Sequence, residues 1–414
     1  MAILQRMGFQ HVRELTSLGG RAGAPPFTQD TLVTLKNWRQ APFNRWAFQH
    51  VRELIPTARI PRGGSPVWEL PRAERDLTGV RFATRSGELT VGEHLDQTYT
   101  DGFLVIHQGR IVTELYFNGL RPDMPHLLMS VSKSVTGLVA GALAGRGVLD
   151  VTARVETIVP ELGGTSFEGA TVQQLLDMRT GTHFVEDYDD PEAEIAVSDR
   201  VYLWRPDEGE PRPADAIEFF ATLVNDCPHG GAFRYRSILT DVLAWVLEKA
   251  GQARFSDLVA RELWQPMGAE HDAEVTVDGH RNALADGGIS ATLRDAGRIG
   301  LLALRRGRAQ AAQVVPESWI DDTIKGAPDG PWAFGEGDGA RGHSPGAHYR
   351  NCWWVTDPRL PLFQATGIHG QSIIVHVPSQ TVVVKLSSWP DVLNPSMRHA
   401  TNAAVVAIAV ALRD

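Results

Sequence analysis

The order of elements can be read from where hydrophobic residues fall. From Gly102, the run Phe103-Leu-Val-Ile-His107, a Gln108-Gly109 turn and Arg110-Ile-Val-Thr-Glu-Leu-Tyr-Phe117 predict a β-hairpin. Beyond His126 the period changes. Val135, Leu138, Val139 and Leu143 recur at helical spacing between Ser132 and Gly147, and Gly147 supplies the stop. Further helical signals cover 171–176, 216–223, 240–250 and 255–263. Strand-like runs return late: 371–377, a Pro378-Ser-Gln380 turn and 381–386 predict a second hairpin, and 397–412 a closing apolar helix. Strands towards both ends with helices between them predict an α/β sheet built from both terminal parts plus an inserted all-α domain. The boundaries this suggests are an N-terminal extension and peripheral segment over 1–65, a sheet domain from 66–125 and 287–414, and a mainly helical domain over 126–286. The heptapeptide Phe-Gln-His-Val-Arg-Glu-Leu occurs at 9–15 and again at 48–54, too few copies for a solenoid, so it reads as a local duplication.

Composition narrows the class. With 43% hydrophobic and 21% charged residues among 414, the chain is that of an ordinary globular protein of about two to three domains. Forty basic against 49 acidic side chains leave a net charge of -9, so nothing draws it to nucleic acid or anionic lipid. No stretch suggests a secretory leader or a membrane span, and the two cysteines, Cys227 and Cys352, form neither a CxxC pair nor a disulfide framework. A cytoplasmic protein with a small-molecule substrate is expected, with no nucleic-acid or membrane partner; a homodimer is compatible with it.

Two serines compete as nucleophile. Gly342-His-Ser344-Pro-Gly346 fits G-x-S-x-G, but that motif needs a strand directly before the serine and a helix directly after it. Here a Gly-rich polar loop precedes and Pro345-Gly346 follows, so the match is set aside. Ser130, in Met129-Ser-Val-Ser-Lys133, forms an S-x-x-K at the start of a predicted helix. Residues three apart share a helix face, which brings Lys133 to Ser130, and burial would help the lysine lose its proton. The helix start also offers unpaired N–H groups to an oxyanion. The alternative is an N-capping serine followed by a solvated lysine. Such a hydrolase needs a further polar group in the helical domain and an element on a late strand. Tyr235-Arg-Ser237, just before the helix near Thr240, and Ala365-Thr-Gly-Ile-His-Gly370, opening the second hairpin, occur in that order. Taken singly, each can also be read as a core tyrosine or a plain strand-opening turn. An acidic run, Glu186 to Asp190 with Glu192 and Glu194, lacks the spaced ligands of a calcium loop and is expected to be a solvated face. There is no H-E-x-x-H and no phosphate-binding glycine loop, so neither metal nor cofactor is expected.

The chain resembles the penicillin-recognising serine hydrolases with the class C β-lactamase fold, and within them the 6-aminohexanoate-dimer (nylon-oligomer) hydrolases. The resemblance runs from about Asn37 onward. It is carried by Asn37-Trp-Arg-Gln-Ala-Pro-Phe-Asn-Arg-Trp-Ala-Phe48, Leu127-Leu-Met-Ser-Val-Ser-Lys-Ser134, Thr240-Asp-Val-Leu-Ala-Trp245, Gly367-Ile-His-Gly-Gln371 and Val383-Val-Lys-Leu-Ser-Ser-Trp-Pro-Asp391. It implies Ser130 as nucleophile with Lys133 and Tyr235 as partners, backbone N–H groups of Ser130 and Ile368 as oxyanion hole, and Tyr188, Asp199, Trp204, Asp286 and His369 in or beside the substrate pocket. Ala365 stands where β-lactamases carry the lysine of K-T-G, and Tyr235-Arg-Ser237 lacks the asparagine of Y-x-N, which argues against lactam substrates. Asp286 occupies a position where amide-cleaving relatives carry asparagine. The expected function is a cofactor-independent hydrolase forming an acyl-enzyme on small linear amides or esters. The alternatives are a short-chain carboxylesterase without useful amidase activity, or a non-catalytic sensor.

Overall fold

The computed structural model describes residues 32–85, 87–209, 212–338, 344–359 and 362–413. A seven-stranded antiparallel sheet forms the frame, in the order His348–Arg350, Trp353–Asp357, Leu362–Thr366, Ser372–His376, Thr381–Ser387, Thr100–His107 and Arg110–Tyr116. Both anticipated hairpins lie in it side by side. Late and early strands meet with Val384 opposite Leu104 and Val382 opposite Ile106. Successive strand residues point to opposite faces. Leu104, Ile106, Val382 and Val384 enter the large core, where Leu293–Leu304 packs on the same strands. Phe103, Val105, Ile374 and Val383 face the other way, onto Val405 and Ile408 of the closing helix Pro395–Ala411.

Between the sheet-forming segments lie the helices Val131–Gly145, Val172–Leu176, Glu194–Val201, Ala216–Thr222 and Ile238–Gly251, followed by the short Phe255–Leu258 turn and its continuation to Trp264. The first of these is buried on every side from Val131 to Leu143. That explains a glycine inside it. A Cβ on Gly137 would sit 2.3 Å from the Asn351 carbonyl oxygen, so the glycine lets the helix touch the neighbouring loop despite its cost to helix stability.

The N-terminal segment differs from expectation. From Val33 on it is core rather than periphery: Trp38, Arg45, Phe48 and Val51 are all buried. Thr57–Ile60 edges a second sheet, followed by Ala273–Thr276, Ile289–Ala291 and His126–Leu127. The anchor is ionic. Arg45 Nη1 lies 3.0 Å from Asp101 Oδ1, and Asp101 Oδ2 is met by His126 Nε2 at 3.1 Å and the Ser388 hydroxyl at 2.6 Å. Burying that carboxylate is tolerable only because its partners are buried with it. In the duplicated heptapeptide's second copy, 48–54, Phe48, Gln49 and Val51 are buried while Arg52 and Glu53 stay exposed, and its first copy lies outside the described residues. No helix among the described residues is long and apolar enough to cross a membrane.

Candidate active site

Ser130 sits at the N-terminus of Val131–Gly145 but makes no capping bond. Its Oγ instead accepts from Lys133 Nζ at 3.0 Å. The preceding residue, Met129, holds a positive φ of 49°, a left-handed conformation that bulky side chains seldom adopt and that turns the chain sharply into the helix. Lys133 is 1% exposed. Nζ also donates to the Asp286 carbonyl at 2.9 Å and lies 3.5 Å from Asp286 Oδ2. Tyr235 faces the pair, its ring centroid 5.2 Å from Lys133 Nζ, and the ring stacks on Trp354 with centroids 5.4 Å apart.

The late strand closes the other side. Gly367, at the end of Leu362–Thr366, can approach because it lacks a side chain: a Cβ there would lie 2.7 Å from the Leu128 carbonyl oxygen and 3.0 Å from Ser130 N. Among the described residues, neither the Ser130 nor the Ile368 N–H has a protein acceptor. Both border the same cavity as the Ser130 side chain. Arg398 of the closing helix holds this corner, donating to the Gly367 carbonyl at 2.7 Å and the Gln371 carbonyl at 3.0 Å. Burial pulls its guanidinium down to about 10, opposed by Tyr235.

The ionisation of Lys133 is opposite to the sequence expectation. Burial alone would depress its pKa, but the Asp286 carboxylate, then Tyr235, Glu186 and Asp241, outweigh it, and the ammonium is stabilised. Burial pushes Tyr235 up against the pull of Lys133. The Glu186 and Asp241 carboxyls are also pushed up, burial being the main cause for each. Glu186 corrects a further expectation. Asp187, Asp189, Asp190 and Glu192 are exposed, but Glu186 turns inward, accepting from Tyr188 OH at 2.6 Å and from the N–H and hydroxyl of Ser237, each at 2.8 Å. Its position in an acidic run concealed it, and nothing in the local pattern separates it from its neighbours.

The remaining anticipated pocket residues divide. Tyr188, Asp199, Trp204 and Asp286 line one small chamber with Ser130 and Ile368. Trp204 is fixed by its Nε1 donating to Thr276 Oγ1 at 3.0 Å. His369 borders the outer cleft but is itself buried, with Nδ1 donating to the Trp389 carbonyl at 2.8 Å. Burial lowers its pKa to about 4, so the ring is neutral. Ser344 is elsewhere, bonded to Asp357 Oδ2 at 2.7 Å and to Arg359 at 2.9 Å.

A serine on a buried helix start, a lysine one turn on, a facing tyrosine and a glycine-permitted strand edge define a hydrolase of the β-lactamase fold. The β-lactamase family profile matches residues 90–408, and the chain belongs to that family of serine hydrolases. Over 381 residues it is 38% identical to the 6-aminohexanoate-dimer hydrolase of Paenarthrobacter ureafaciens, covering 92% of each chain. A solved structure from Bacillus anthracis, provisionally described as a 6-aminohexanoate-dimer hydrolase, superposes with a TM-score of 0.85 at 27% identity, covering 94% of this chain and 99% of that one. At 16% identity, the octameric penicillin-binding protein homologue from Pyrococcus abyssi shares the fold, with a TM-score of 0.57 over 78% of this chain and 76% of its own.

Proposed function

We propose that this enzyme cleaves small linear carboxylic esters and amides through an acyl-enzyme on Ser130, in the manner of a 6-aminohexanoate-dimer hydrolase. The observation that carries the reading is the 3.0 Å contact of Lys133 Nζ with an Oγ that caps nothing. The active ionisation is the one in which the Lys133/Tyr235 pair has lost one proton. Ser130 Oγ then attacks the acyl carbonyl as its proton passes to that pair, and the N–H groups of Ser130 and Ile368 receive the oxyanion. Tyr235 returns the proton to the leaving oxygen or nitrogen as its bond to carbon breaks. Water enters by the same route in reverse and releases the acid.

Esters are the better substrates in this reading. An alkoxide leaves readily, whereas an amide nitrogen must be protonated and held in line as the bond breaks. Asp286, at the lysine, can only accept hydrogen bonds when ionised. Short p-nitrophenyl esters should turn over well and 6-aminohexanoate dimer slowly. Stopped-flow release from p-nitrophenyl acetate should show a burst followed by steady turnover. Release no faster than in Ser130→Ala would sink the proposal and leave a non-catalytic sensor as the better description.

A further inference from the structure

The end of the cleft away from Tyr235 carries charge that the chemistry at Ser130 does not use. Arg39, from the N-terminal segment, lies against the rings of Trp38 and Trp204 at 5.6 and 5.7 Å, and its Nη2 is 2.5 Å from Asp199 Oδ2. Arg205 Nε meets the same oxygen at 3.0 Å. Two guanidinium groups on one carboxylate leave an excess positive charge, although the Asp199 side chain is only 7% exposed. One cation would neutralise Asp199. A second one held there is a desolvation cost unless something negative completes the set.

The position fits a substrate contact. Arg39 lines both the small chamber containing Ser130 and an outer cavity of about 730 Å³ that opens past Ile368 and Tyr188. On that outer wall Lys36 is matched by Glu208 at 2.8 Å, which leaves Arg39, Arg200 and Arg205 against the carboxylates of Asp189 and Asp199, so the wall keeps a positive excess. Tyr235 lines a further cavity of about 400 Å³ that shares Ser130, Tyr188 and Ile368 with the small chamber but not Arg39 or Trp204, and as the group that protonates the leaving atom it assigns the leaving group to that cavity. The acyl chain then runs past Trp204 towards Arg39.

Resting on the acyl-enzyme reading, we propose that Arg39 and Arg205 form a carboxylate-recognition end to the acyl site. The preferred substrates are then esters or amides of linear acids whose far end bears a second carboxylate, and an ammonium at that end is disfavoured. Guanidinium forks match a carboxylate in shape and charge. An ammonium brought to the same place meets net positive charge.

Three 4-nitrophenyl esters of equal chain length test this: those of hexanoic acid, of adipic acid as the monoester, and of 6-aminohexanoic acid. In wild type, kcat/KM for the adipate ester should exceed that for the aminohexanoate ester by roughly five- to thirtyfold at low salt, with hexanoate between, and 0.5 M NaCl should narrow the spread. Arg39→Gln and Arg205→Gln should each narrow it severalfold, whereas Lys325→Gln, which removes an exposed charge elsewhere, should not. The ratio of two esters in one preparation does not depend on how much protein is folded. Wild type cleaving the aminohexanoate ester as fast as the adipate ester, or a ratio unmoved by both arginine variants, overturns the assignment. Failure to cleave any of the three above the Ser130→Ala background overturns the hydrolytic reading itself and this assignment with it.

Discussion

Asp286→Asn removes a negative charge 3.5 Å from the Lys133 ammonium at almost constant side-chain size. The backbone contacts survive the change, because the residue 286 carbonyl accepts from Lys133 Nζ at 2.9 Å and its N–H donates to Asp241 Oδ1 at 3.0 Å. Burial works to depress the lysine, and Asp286 is the first of the groups that reverse it. At an effective dielectric of about 20 this separation is worth ~5 kcal/mol as an upper limit, or about three and a half pKa units. Asp241 tempers the effect. Its carboxyl is pushed up by burial and then by Asp286, so neutralising residue 286 lets Asp241 ionise at lower pH and return part of the charge. A net fall of about one to two units at Lys133 is expected. The sign follows: the variant's lysine gives up its proton more easily, so the rising alkaline limb of kcat/KM should move to lower pH by that amount. The assay is p-nitrophenyl acetate hydrolysis from pH 6 to 10, with Ser130→Ala subtracted at each point. Asp241→Asn/Asp286→Asn should move the limb further. A limb at the same pH in Asp286→Asn would refute the view that this carboxylate sets the lysine's ionisation. Asparagine can also donate a hydrogen bond, so the amide-to-ester ratio should rise by roughly two- to twelvefold. An unchanged ratio would refute the specificity role while leaving the ionisation argument standing.

Ser130→Ala should abolish covalent labelling by an organophosphonate and Ser344→Ala should not, since Ser344 Oγ is engaged by Asp357 and Arg359; an adduct mapped by mass spectrometry to Ser344 would contradict this. Lys133→Arg should be nearly as damaging to kcat as Lys133→Ala, because a guanidinium does not deprotonate in a protein; an arginine variant retaining a large share of kcat would make Lys133 a structural cation. His94, buried against Thr401, has its pKa lowered to about 3, first by burial and then by Lys385. Below pH 6.5 the unfolded chain binds this proton and the folded one does not, so stability falls as pH drops from 6.5 towards 3. Between pH 7 and 5 that histidine accounts for about 2 kcal/mol, and His94→Gln should lose that much less on acidification in urea melts; equal losses would show that it does not titrate this way.

The two hairpins were legible because short β-rich apolar runs on either side of a glycine- or proline-containing turn are a local signal. The runs are apolar throughout because both faces of the central strands are covered, one by Leu293–Leu304 and the other by Pro395–Ala411. The N-terminal segment had no such signal. Trp38, Arg45 and Phe48 lie in turns and one short helix with no common period, and what buries them is Trp204, Asp101 and Ser388, far along the chain. A contact of that range leaves no trace in neighbouring residues, so a segment that supplies Arg39 to the cleft reads as a peripheral extension.

Proximity of Ser130 and Lys133 follows from helix geometry alone, since three residues is one turn. Which way the lysine's proton equilibrium leans does not. The isolated motif in a dry helix start argues for an easily deprotonated amine. In the folded chain Asp286 comes from the turn before Ile289–Ala291, Asp241 from Ile238–Gly251 and Glu186 from the loop before Glu194–Val201, and together they reverse it. Each reached the site by a different long-range contact, so no spacing rule could have joined them. The same four-residue motif is therefore compatible with a lysine poised on either side of neutrality. In the proposed mechanism, the carboxylates gathered around it set how alkaline the solution must be before Ser130 is activated.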